Sequence, residues 1–156
     1  MNPSEGKRLG EFSRTVREST LKRLHQVPLG KENWAPLSGV MTFADIAHHI
    51  GDADRWLFQK LEDPTQSKMT GRAGEAAHVT PEEFQKLIAK LREFGEQRAK
   101  LLSTLTDPFL DSPIFDDRFG EVTAWWIIVR GNLDHEAHHR GQLAVYLRIM
   151  QDYPRN

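Results

Sequence analysis

A chain of 156 residues suits one domain of ordinary size, spanning 1–156, and can bury a core without staples. Its net charge of −1, with histidines neutral, removes any global electrostatic case for binding nucleic acid or an anionic membrane. The absence of cysteine excludes disulfides, cysteine–zinc sites and a cysteine nucleophile, so any thiol chemistry needs a thiol from solution.

Hydrophobic spacing predicts four long helices. The first runs from about Pro3 to Gln26, with Leu9, Phe12, Val16, Thr20 and Leu24 at steps of three or four. Its Arg14, Arg17, Lys22 and Arg23 alternate with Glu11 and Glu18, the pattern of a solvated face. Trp34, Pro36, Leu37 and Val40 follow in a Gly- and Pro-bearing loop. The second helix starts after Thr42, a natural N-cap, and reaches about Leu61. A polar stretch from Glu62 to Val79 reads as a long crossing loop. The third helix opens on "TPEEF", in which Thr80 caps, Pro81 takes the first helical position and Glu83 completes a capping box. It ends near Leu105.

Asp107 to Glu121 holds too many Pro and Asp residues for a helix and leaves room for a short hairpin-like turn. The fourth helix runs from about Thr123 to Met150, roughly 40 Å at 1.5 Å per residue. Four amphipathic helices in one chain predict an all-α fold, a helical bundle, with long loops between helices 2 and 3 and between 3 and 4. The longest apolar run, Ala124 to Val129, is too short to span a bilayer, and MNPSEGKRLG lacks the apolar core of a signal peptide. A soluble, cytoplasmic protein is expected.

The chemistry concentrates in "NLDHEAHHRGQL", Asn132 to Leu143. His135 and His139 lie four apart, so they project from one helix face. That face also carries Ile128, Leu143 and Tyr146 and should point inward. Two imidazoles there can ligate one metal, or each can bond a carboxylate across the bundle. In "DIAHHIGDADRW", His49 keeps step with Ile46, Ala53 and Trp56, whereas His48 keeps step with the polar Asp45, Asp52 and Arg55. His49 is therefore the inward candidate. With His135 and His139 it makes a three-histidine cluster if the two helices face each other, and three ligands with an open position mark a catalytic centre rather than a structural one.

His138 is offset from both and is expected at a helix–helix seam. His25 and His78 are expected to be exposed. His135, Glu136 and His139 also spell H-E-x-x-H. The extended zinc-protease motif needs Gly at 142 and His at 145, where Gln142 and Val145 stand, and no histidine follows His139. Glu136, about 100° around the helix from His135, reads as a surface or seam residue. Gly141, which costs a helix about 1 kcal/mol against Ala, suggests a close approach at that point.

"HEAHHRGQL" from His135, "FADIAHHIGDADRW" from Phe43 and the preceding loop with Trp34 and Pro36 resemble the DinB-like family, also called YfiT-like metal-dependent hydrolases. The resemblance spans essentially the whole chain. It implies a four-helix bundle with an up-down-down-up course, often a homodimer, and a divalent metal held by His49, His135 and His139. Zinc, nickel, iron and manganese all occur in such proteins, and relatives include thiol S-transferases that use bacillithiol and an isomerase that uses mycothiol. The implied function is a metal-dependent enzyme that activates a low-molecular-weight thiol or water against a small electrophile. The alternative is a non-enzymatic, stress-related metal-binding bundle. Asp45, Asp52 and Asp134 are candidates for orienting the imidazoles, and Tyr146 and Arg140 for lining the pocket.

Overall fold

The computed structural model describes residues 2–65 and 76–151. Its elements are α1 (Glu5–Leu24), α2 (Phe43–Glu62), α3 (Pro81–Thr104), the one-turn α4 (Asp107–Leu110), β1 (Pro113–Asp116), β2 (Gly120–Thr123), α5 (Ala124–Trp126), a π-helical segment (Ile127–Leu133) and α6 (Asp134–Met150). The fold is helical with one small antiparallel hairpin, in which Ile114 faces Val122 and Asp116 faces Gly120. The sequence left room for that hairpin, which qualifies the all-α expectation. Residues 66–75 of the predicted crossing loop lie outside the described residues.

Helix starts follow local capping chemistry. Ser4 accepts from the Lys7 amide, and Thr42 with Asp45 and Thr80 with Glu83 form capping boxes, each satisfying amides that the first turn leaves free. Asn33 and Val79 exchange two hydrogen bonds of 2.8 and 2.9 Å, which dock the loop after α1 onto the entry to α3.

Two apolar clusters form the core. One contains Leu21, Leu24, Phe43, Ile50, Ile88 and Tyr146 among others; the second contains Leu9, Trp56, Leu57, Leu102, Ile127 and Ile128 among others. In sequence order α1 and the helix ending in α6 run from the second cluster to the first, while α2 and α3 run from the first to the second. A polar belt lies between the clusters on every long helix: Ser13, Arg17 and Thr20 on α1, Asp54 on α2, Arg98 on α3, and Asn132 and Glu136 on the last. Arg17 is thus not on a solvated face as its charge pattern predicts; it is 2% exposed. Phe12, expected in the apolar stripe, is exposed.

α1 and α3 approach closely through glycine. A side-chain carbon at Gly10 would meet the Ala99 carbonyl oxygen at 2.7 Å, closer than such atoms tolerate. The predicted fourth helix is interrupted. Over Ile127–Leu133 the backbone takes the wider π turn, and Gly131, Asn132 and Leu133 are buried there. Gly131 receives the Trp56 ring, and the Asn132 amide donates to the Ala53 carbonyl at 3.1 Å.

Candidate metal centre

α2 and α6 bring His49, His135 and His139 together, the first two 86 positions apart in the chain. Their Nε2 atoms converge: His135 lies 2.8 Å from His49 and 3.1 Å from His139. Ligands about 2.0–2.1 Å from a tetrahedral ion sit roughly 3.3 Å apart, so the triangle has the size of one ion's coordination face. His139 is buried, and His49 and His135 are half-buried, which leaves the cluster reachable from their side. Among the described residues no carboxylate or fourth histidine joins the three.

Protonation states suit a cation. Burial, and then the charges of His139 and His49, push His135 down to about 3. Burial also lowers His49 and His139. All three rings are therefore neutral near pH 7. The His139 Nδ1–H donates to Gln142 Oε1 at 2.7 Å, which fixes the tautomer and leaves the Nε2 lone pair facing the centre. Three converging Nε2 atoms on neutral rings cannot all satisfy one another through hydrogen bonds, and a divalent ion satisfies all three. The donor set fits such an ion.

Gln142 is the orienting residue that sequence reasoning missed. Its signal was present, since it sits three residues after His139 on the same helical face. Two of the proposed carboxylates act elsewhere. Asp45 accepts from the Thr42 amide at 2.9 Å and from the Ala77 amide, tying α2 to the chain before α3. Asp134 is exposed and pairs with Arg130 at 3.3 Å. Asp52 does lie near the cluster, where its charge favours protonated His49, and it pairs with Arg55 at 2.5 Å.

Tyr146 belongs to an aromatic cluster, with ring centroids 5.7 Å from Phe43 and 6.0 Å from Trp34. Arg140 is half-buried and makes no ion pair among the described residues. His138 is exposed rather than at a seam, its ring 5.0 Å from that of His139. Nothing approaches Gly141 within 4 Å, so the expected close contact is absent.

Glu136 is the largest revision. It is 2% exposed and sits at the centre of the polar belt. Arg17 donates to it at 2.8 and 3.0 Å, Arg98 at 2.5 Å and the Thr20 hydroxyl at 2.8 Å. Arg17 and Arg98 also hold Asp54, at 2.7 and 3.1 Å. Burial alone would raise the Glu136 carboxyl, but the two guanidinium groups hold it well below the usual carboxylate range. A carboxylate so enclosed is an anchor for four helices and is spent as a base. The literal H-E-x-x-H therefore has two ligand letters and one structural letter.

The chain is helical, and three of its histidines, from two helices, could hold one ion. The profile described as "DinB superfamily" matches residues 13–143, so the chain belongs to that superfamily. Among solved structures, the DinB-like protein YjoA from Bacillus subtilis is similar in fold, with a TM-score of 0.71 at 19% identity over 96% of each chain. None of the curated proteins matches the chain.

Proposed function

We propose that the protein is a metal-dependent enzyme, a thiol S-transferase or hydrolase, acting on a small electrophilic substrate. The observation that carries this reading is the convergence of three neutral imidazoles without a fourth protein donor among the described residues, the ligand count of catalytic rather than structural sites. His49, His135 and His139 would hold the ion. A divalent ion there would lower the pKa of a thiol or water on its open side and supply a nucleophile near neutral pH.

The chain's own residues prepare that chemistry. Gln142 orients His139, burial keeps the rings unprotonated, and the Glu136 network fixes the helix that carries two of the three ligands. With no cysteine in the chain, a low-molecular-weight thiol would enter as a cosubstrate. The opposed directions of the four long helices between the two apolar clusters support an up-down-down-up four-helix bundle as part of the same reading. A homodimer and a cytoplasmic setting also belong to it. No helix among the described residues is long and apolar enough to cross a membrane.

The test is a metal titration of tag-free, chelator-stripped protein followed by elemental analysis and thermal melting. One zinc or nickel ion per chain and a raised melting temperature are expected, both lost in His135→Ala. A chain that takes up less than a tenth of an equivalent after reconstitution would refute the reading.

A further inference from the structure

Two of the three candidate ligands, His135 and His139, stand one turn apart on α6, so that helix by itself sets their spacing. The third, His49, stands on α2. Its Nε2 meets the His135 Nε2 at 2.8 Å only while the two helices keep one separation and one register. Packed helix axes lie about 8–10 Å apart, depending on the side chains at the contact. That range of about 2 Å equals a whole imidazole–metal bond, so a loosely set seam would carry His49 out of reach of an ion held by the other two.

The seam is pinned on both sides of the histidines. Towards the start of α2, Phe43 meets Tyr146 with ring centroids 5.7 Å apart. Towards its end, two adjacent residues of the π-helical segment, Gly131 and Asn132, both meet α2. Asn132 is 1% exposed. Its Nδ2 donates at 3.1 Å to the Ala53 carbonyl, one turn past His49, and its Oδ1 accepts from Arg98 at 3.0 Å. A directional bond of this kind resists sliding of one helix along the other. Gly131 limits separation instead. A side-chain carbon there would meet the Trp56 ring at 2.8 Å. That ring has little space to yield, since Trp56 is 1% exposed and the Arg118 guanidinium carbon lies 4.9 Å from its centroid. A larger residue at 131 would therefore push α2 away.

Both contacts fall at the seam that a three-histidine site must keep in register, within two turns of His49 and His135. We infer that Asn132 and Gly131 are positioning residues of the metal centre: the amide sets the register, and the glycine the separation, at which His49 joins His135 and His139 on one ion. This rests on the metal reading above.

The experiment strips the full chain of metal and titrates it with cobalt(II), reading affinity and the visible absorption of the bound ion, beside denaturation of the stripped protein. Asn132→Ala should weaken cobalt binding on the order of tenfold and alter the absorption, because His49 no longer reaches the ion. Gly131→Ala should lose at least as much. Ser13→Ala is the control, since Ser13 accepts from the same Arg98 at 2.7 Å but from the α1 side. It should cost the stripped protein stability yet leave cobalt affinity within about twofold of the native chain. Native-like cobalt affinity in folded Asn132→Ala would overturn the inference while leaving the metal reading intact. The same result in folded Gly131→Ala would overturn the role of the glycine, and if that variant does not fold, Asn132→Ala decides alone. A cobalt loss in Ser13→Ala as large as that in Asn132→Ala would also overturn the inference, by tracing the effect to general loosening of the belt. A native chain that takes up no cobalt overturns the metal reading and this inference with it.

Discussion

Two polar groups share the interior within one turn of α6, and they differ in how they are satisfied. The belt of Arg17, Arg98, Asp54 and Glu136 is neutral in sum, and its guanidinium and carboxylate groups are joined by hydrogen bonds of 2.5–3.1 Å. The histidine cluster is not closed in this way. Its Nε2 atoms face one another, and the buried His135 Nδ1 has no hydrogen-bond partner among the described residues. A closed network serves structure. The open one has the donors that the proposed ion would use.

The largest break in that comparison should come from the closed side. Glu136→Ala leaves two buried guanidinium groups short of a counter-charge, and a loss of about 3–5 kcal/mol is expected. Chemical denaturation would measure it, and a loss under 1 kcal/mol would show that the belt tolerates opening. Gln142→Ala acts on the open side. It frees the His139 tautomer and should weaken metal binding about 10–100-fold with little change in the stability of the stripped protein.

Acid should distinguish the two sides by where each begins to fail. His135 takes a proton near 6.5 when unfolded but only near 3 when folded. The unfolded chain therefore binds more protons as pH falls below 6.5, and stability of the stripped protein should decline from there toward 3. The lowered Glu136 carboxyl contributes stability above its ordinary value of 4.5 and loses it only as pH falls further. Melting temperatures from pH 7.5 to 4 would show an onset near 6.5, and an onset only below 4.5 would remove the histidine contribution. The smallest effect is expected at Asp134, once a candidate for orienting an imidazole. Asp134→Ala should change stability by no more than about 0.5 kcal/mol and leave metal affinity unaltered, because its partner is the exposed Arg130.

Much of the architecture and part of the site were legible before any coordinates. Capping residues at Thr42 and Thr80 announce two helix starts, because capping is a local matter of a hydroxyl and the next few amides. The inward side of His49 follows from its step with Ile46 and Ala53, since helical period alone sets which face a residue takes. Gln142 was equally legible by that rule, three residues from His139, although it drew no notice as an orienting partner.

The π segment was not legible. An extra residue per turn leaves no mark in the apolar pattern, and it is decided by what packs against Gly131 and Asn132. Arg17 and Glu136 misled for a related reason. A charged residue among charged neighbours looks solvated, and only partners from other helices make its burial affordable. The sequence by itself determined which histidines share a face. Tertiary structure alone decided that Glu136 is an anchor and that Arg118 stands over Trp56, because both depend on contacts between segments far apart in the chain, which no local spacing encodes.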